Sequence, residues 1–147
     1  MSQSAVGLVL CTMLFVLCGS VDAQQTGKIF RVGFLDESTA SGMATLVEAF
    51  QQEMTKLGWI EGKNVAIEYR FAEQRSERLQ ELATDLVRLK VDLIVVGTGP
   101  SALAAKSATT TIPVVMTNVG DPLGFGLVAS LARPGGNVTG TQVCRPS

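Results

Sequence analysis

The run Val91–Val96 (VDLIVV), closed by Gly97-Thr98-Gly99-Pro100, constrains the fold more than any other segment of this chain. A nearly unbroken apolar strand is what a sheet covered on both faces requires, and such sheets are parallel. Parallel strands cannot be joined by a tight hairpin and need a crossover, usually a helix. The sequence supplies one on each side. Upstream, Ser76 to Lys90 carries an apolar stripe of Leu79, Leu82, Ala83, Leu86 and Leu89, with Ser76 as a candidate N-cap. Downstream, Pro100 stands at the first position of a helix running to Ala108, where its missing N–H costs nothing.

The same alternation continues outward. Lys28–Leu35 (KIFRVGFL) reads as a first strand, followed by the polar loop Asp36–Gly42. Met43, Leu46, Val47, Phe50, Met54 and Leu57 then fall at helical spacing, and Gly58 sits where a C-terminal glycine belongs. Trp59–Asn64 is a turn, Val65–Tyr69 a second strand and Ile112–Met116 a fourth. Beyond it, Thr117–Gly124 forms a loop, then a short helix and a glycine-rich approach to another strand. The order β-α-β-α-β-α-β with short links predicts an α/β fold, a doubly wound parallel sheet with right-handed crossovers.

Composition narrows the function. With 46% hydrophobic and 17% charged residues the chain can bury a core, which excludes disorder. A net charge of −1 gives no electrostatic footprint for nucleic acid or an anionic membrane. There is no histidine, which removes Ser-His-Asp and Cys-His catalysis and the commonest metal ligand together. Neither a metal site nor a cofactor motif is expected. Gly97 and Gly99 lack the third glycine of a dinucleotide fingerprint, and no Walker lysine follows a glycine-rich loop.

Residues 1–23 read as a secretory signal peptide. Ala5–Leu17 is apolar but shorter than the roughly 20 residues of a membrane span. Val21 and Ala23 occupy the small-residue positions of a cleavage site, although no Lys or Arg precedes the apolar run. The expectation is export, with no membrane span after cleavage. An uncleaved anchor is the alternative, and a lipoprotein is disfavoured by Leu17 before Cys18. After cleavage only Cys144 remains, so no intrachain disulfide can form.

In open parallel sheets, ligands bind beyond the carboxyl ends of the strands, near the point where strand order reverses. Three loops qualify. Ser38, Thr39 and Ser41 offer hydroxyls after the first strand, or simply cap the next helix. Thr98, Gly99 and Ser101 follow the third strand, where the N–H groups of Ser101 and Ala102 would open a helix and bind an anion such as a carboxylate. The bland alternative is a tight glycine turn. Asn118 and Asp121 follow the fourth strand, with Asp121 able to pair an ammonium or merely to form a turn before Pro122. Asn137-Val138-Thr139 matches a glycosylation sequon by chance, and Trp59 and Tyr69 are expected to pack.

Four blocks carry a resemblance: LGWIEGKNVAIEYR (Leu57–Arg70), ERLQELATDLVRLKVDLIV (Glu77–Val95), PSALAAKSATTTIPVVM (Pro100–Met116) and DPLGFGLVASLARPGGNVTG (Asp121–Gly140). Together they resemble the ABC-transporter substrate-binding protein family that includes tryptophan- and tyrosine-transport binding proteins. The resemblance implies a periplasmic solute-binding component with two α/β lobes of the periplasmic-binding-protein (type I) fold. A small-molecule ligand, with aromatic amino acids the best-known type, would be trapped between lobes, and ABC permease subunits would be the partners. On that reading residues 28–142 are the N-terminal lobe, 143–147 an irregular tail, and the second lobe is missing, so ligand binding is expected to be weak or absent. A flavodoxin-like flavin carrier or small α/β enzyme is the alternative of a different class.

Overall fold

The computed structural model describes residues 27–127 and 136–140. The export segment 1–23, Cys144 and the tail 143–147 lie outside the described residues. Five strands, β1 (Phe30–Asp36), β2 (Val65–Phe71), β3 (Leu93–Val96), β4 (Val114–Met116) and β5 (Val138–Gly140), form a parallel sheet in the order β2-β1-β3-β4-β5. Three helices, α1 (Ala40–Lys56), α2 (Leu79–Arg88) and α3 (Gly99–Ala108), connect the first four strands. The doubly wound parallel sheet expected from the sequence is therefore present.

Strand alternation sorts the side chains into two cores. Leu35, Ile94, Val96, Val114, Met116 and Val138 point to one face and pack with Leu79, Ala83 and Leu86 of α2 and Ala102 and Ala105 of α3. Gly33 lets α2 sit close: a methyl group there would lie 3.0 Å from both terminal carbons of Leu86. Burial of a leucine side chain such as Leu86 contributes roughly 2–3 kcal/mol.

On the opposite face, Val32, Phe34, Val65 and Val95 are buried under α1 and a ring cluster. Phe34 meets Phe50 of α1 at 6.0 Å and Tyr69 at 5.9 Å between ring centroids. Gln51 Nε2 donates to Tyr69 Oη at 2.9 Å. Burial pushes the Tyr69 phenol above its ordinary value, with the Gln51 hydrogen bond opposing the shift. The expected α1 stripe is narrower than its spacing implied. Met43, Val47, Phe50 and Met54 are half-buried, whereas Leu46 and Leu57 are 62% and 75% exposed. The helix ends as predicted, with Gly58 at φ +88° and Trp59 N–H donating to the Met54 carbonyl.

Other boundaries shift for local reasons. Helix α1 starts at Ala40 rather than Met43, because Thr39 caps it by accepting from Gly42 N–H. Ser76 does not cap α2; residues Ser76–Arg78 form a 3-10 turn and the Ser76 hydroxyl donates to Glu37. Strand β3 begins at Leu93 because Asp92 closes the strand mouth instead, its N–H donating to the Arg31 carbonyl and its carboxylate accepting from Arg31 N–H. The approach to a further strand proves to be that strand: Val138–Gly140 pairs with Val114–Met116. Asn137, read as a chance sequon, clamps the sheet end by donating to the carbonyls of Thr109 and Ile112.

Candidate ligand-binding rim

Strand order reverses between β1 and β3, and the register there brings Leu35 opposite Val96. The next residues, Asp36 and Gly97, emerge side by side at the carboxyl edge of the sheet. Asp36 is 1% exposed. Its Oδ1 accepts from Ser38 N–H at 2.9 Å, and its Oδ2 lies so near Gly97 that a methyl group there would be 2.4 Å away. One carboxylate thus fixes the spacing of two loops at the switch point.

The loop after β2 joins them. Ala72, Glu73 and Gln74 donate their N–H groups to the carbonyls of Asp36, Ser38 and Glu37. Glu73 and Gln74 hold φ of 54° and 61°, a left-handed conformation that costs a non-glycine residue about 1–2 kcal/mol each. Such strain concentrates at functional sites. Glu73 Oε1 also accepts from Ala40 N–H at 3.3 Å, tying this loop to the start of α1. Between the loops lies an open depression of ≈ 280 Å³ lined by Glu37, Ser38, Gln74 and Thr98. Larger depressions of ≈ 440 and ≈ 500 Å³ are lined entirely by residues of α2 and of α1, with no residue of the loops that follow the strands. Volume alone selects those; strand topology selects the smaller one, and topology is the better guide in this architecture.

The structure brings the sequence-chosen residues to one edge but gives them different tasks. Ser38 and Thr98 line the depression. Thr39 and Ser41 are helix-terminal: their hydroxyls share a 3.3 Å hydrogen bond, and Ser41 lies inside α1 rather than in a loop. Ser101 is fully buried, and its hydroxyl is bonded to Thr98 Oγ1 at 2.7 Å.

The anion site expected at the start of α3 is already filled from within. Ser101 N–H donates to Thr98 Oγ1, and Ala102 N–H to the Thr98 carbonyl. Gly99 takes the first position of the helix, so Pro100, which has no N–H to offer an anion, is its second residue. Asn118 is exposed beside buried Val119, while Thr117 N–H donates to the Val96 carbonyl. Asp121 is a turn former: its Oδ1 accepts from Gly124 N–H at 2.8 Å.

Three contributors were not singled out from sequence: Asp36 as a buried carboxylate, the Glu73–Gln74 pair, and Phe125, whose ring lies against Gly99 at the start of α3. Asp36 had a signal, a carboxylate as the last residue of a strand. Phe125 had one too, an aromatic between Gly124 and Gly126. Glu73-Gln74 had none, since neither residue type advertises a left-handed backbone.

Among the described residues no cluster of metal-ligating side chains is present, and no helix is long and apolar enough to cross a membrane. The strand order is shared with flavin carriers, so the fold left that alternative open. The model of the family "ABC transporter substrate binding protein" matches residues 37–145, which include every loop of this rim. The chain belongs to that family.

Members similar to it include a tyrosine-binding protein of Clostridioides difficile, 40% identical over 110 residues, covering 69% of this chain and 32% of the relative. The ligand-free, open structure of a substrate binding protein with adhesive properties from Clostridium difficile superposes with a TM-score of 0.72 at 32% identity. It covers 78% of this chain and 39% of its own. A Streptococcus pneumonia ABC domain solved in complex with L-Trp gives 0.71 at 29% identity, with the same two coverages of 78% and 39%. The chain thus spans about a third of the curated relative's length. As in those neighbours, the described residues form an α/β unit built on a parallel sheet.

Proposed function

We propose that these residues form one wall of an amino-acid-binding cleft in the solute-binding component of an ABC importer. The observation that carries the reading is the polar rim at the β1/β3 switch point in a chain of this family. Support for an amino acid comes from the relatives, one a tyrosine-binding protein and one solved with L-Trp. The wall acts by hydrogen bonding and charge, without covalent chemistry, so the protein is a carrier and not an enzyme.

The rim chemistry sets the ligand's orientation. Glu37 places a carboxylate in the depression, and Asp36, Glu73 and Asp121, whose carboxylates accept backbone N–H groups, add negative charge around it, while the N–H groups of Ser101 and Ala102 are used internally. An ammonium group suits this wall better than a carboxylate does. Ser38 and Thr98 hydroxyls and the Gln74 amide supply neutral partners. Hinge closure against a second lobe would complete the pocket, and high-affinity pockets bury roughly 70–90% of a ligand. The described residues cover one side only, so their own affinity is weak. Export through residues 1–23, residence in the periplasm and delivery to permease subunits belong to the same proposal.

Nitrogen-15 NMR titration of the 147-residue chain with L-tryptophan and L-alanine tests it. The expected result is fast-exchange shifts at Ser38, Gln74, Thr98 and Asn118. Shifts confined to the outer surfaces of α1 and α2, or no shifts at millimolar ligand, would sink the reading.

A further inference from the structure

We propose that the Phe125 ring is the platform for the ligand's side chain and gives this wall a preference for aromatic over small amino acids. The inference rests on the amino-acid reading above and assigns it a specificity-determining residue.

The ring is exposed yet firmly held. Phe125 N–H donates to the Asp121 carbonyl at 3.1 Å, Gly126 N–H to Leu123 at 2.9 Å and Leu127 N–H to Pro122 at 2.9 Å. Buried Val119 and Leu127 anchor the turn at its two ends, and Lys106 Nζ donates to the Gly126 carbonyl at 2.5 Å. On this scaffold Phe125 keeps 43% of its surface open. The other side of the ring rests on Gly99. A methyl group there would lie 2.5, 2.6 and 2.9 Å from ring atoms Cε2, Cζ and Cδ2.

Gly99 is thus the residue that admits the ring to the start of α3. Its neighbour Thr98 lines the polar depression. A fixed aromatic surface next to hydroxyls and carboxylates fits a ligand with an ammonium head and a flat apolar side chain. Of the other exposed large apolar side chains, Leu123 lies in the same turn and Leu103 on α3, but neither carries a ring; Ile29, Leu46, Leu57, Trp59 and Ile60 sit before β1, on and just after α1, and in the turn before β2. Ring-on-ring contact is geometrically specific and adds to area burial, so it discriminates where simple burial would not.

The test compares L-tryptophan with L-alanine by NMR titration of the full chain, for the wild type, Phe125→Ala, Phe125→Leu and Gly99→Ala. Urea midpoints are measured for each to confirm folding. Phe125→Ala is expected to reduce the L-tryptophan to L-alanine affinity ratio by about threefold to tenfold. Phe125→Leu keeps bulk without a ring and should lose part of that ratio. Gly99→Ala displaces the ring and should behave like Phe125→Ala. Upfield ring-current shifts of the bound indole protons should vanish with the ring. If both ligands shift Ser38 and Thr98 but their ratio is unchanged in Phe125→Ala, the platform is wrong and the amino-acid reading survives. If neither ligand shifts the rim of the wild type, both fall.

Discussion

Replacing Gly97 by alanine tests the central contact of the rim, because the structure fixes both its sign and its partner. The new methyl group would lie 2.4 Å from Asp36 Oδ2, and contacts below 3.0 Å are not tolerated, so the carboxylate must retreat by at least about 0.6 Å. Asp36 is 1% exposed and has little room to retreat into. Moving it also strains the bond from Ser38 N–H, now 2.9 Å. Overpacking costs about 1–3 kcal/mol, and a hydrogen bond to a charged group is worth about 1.5–3 kcal/mol. Partial loss of both gives about 2 kcal/mol. With a urea slope of about 1.5 kcal/mol/M, the midpoint should fall by about 1.3 M. Backbone strain contributes nothing, since Gly97 is not among the residues with positive φ. The double-mutant cycle isolates the contact. Asp36→Ala alone should cost about 2 kcal/mol by leaving Ser38 N–H without its acceptor. Adding Gly97→Ala to it should then be neutral, or stabilising by about 0.5 kcal/mol through reduced unfolded-state entropy. An equal loss in both backgrounds would refute the strut.

Thr98→Ala should destabilise the chain by about 1–2 kcal/mol, losing the α3 cap and leaving the buried Ser101 hydroxyl unpaired; Thr98→Ser should recover most of it in urea melts. Leu86→Ala should cost about 2.5–4.5 kcal/mol, because Gly33 beneath it has no side chain with which to fill the cavity, and the thermal midpoint reads the loss. Asp92 is held below its ordinary 3.8 by the Arg31 N–H and then by Lys28. Its contribution is therefore complete above that value and lost as pH falls through the folded value. The gap in urea midpoint between wild type and Asp92→Asn should shrink progressively as pH falls below 3.8, and a gap that grows as pH falls through that range would contradict the assignment.

Sheet, helices and their order were legible in the sequence because burial writes period and length directly. Ile94 and Val96 on one face with Val95 on the other made β3 readable, and Leu79, Ala83 and Leu86 made α2 readable. Boundaries failed where side chains found long-range partners. Ser76 was chosen as a cap on local grounds, but Glu37, thirty-nine residues away, takes its hydroxyl. The stripe of α1 was overestimated because periodicity records which face is apolar and not how much of it the sheet reaches. At the rim, the loops and their placement were legible from strand ends. The Asp36–Gly97 contact was not, since it depends on the β1–β3 register. Nor was the folding of Thr98 back onto Ser101.

On the amino-acid-binding reading proposed above, that last contact decides which end of the ligand this wall would prefer. Had the N–H groups of Ser101 and Ala102 been free, the start of α3 would have received the ligand carboxylate. Thr98 fills both positions, with its hydroxyl for one and its carbonyl for the other. What remains along the rim is hydroxyl, amide and carboxylate, a set that accepts from an ammonium. The preference is measurable with two analogues. L-tryptophan amide keeps the ammonium and loses the carboxylate; N-acetyl-L-tryptophan does the reverse. A charge-assisted hydrogen bond is roughly twice as strong as a neutral one, so loss of the ammonium should weaken binding to this chain about tenfold. Removal of the carboxylate should leave affinity within about twofold of L-tryptophan itself. The opposite ranking would mean that the ligand carboxylate competes Thr98 away from α3, and that the internal cap is a placeholder for the ligand.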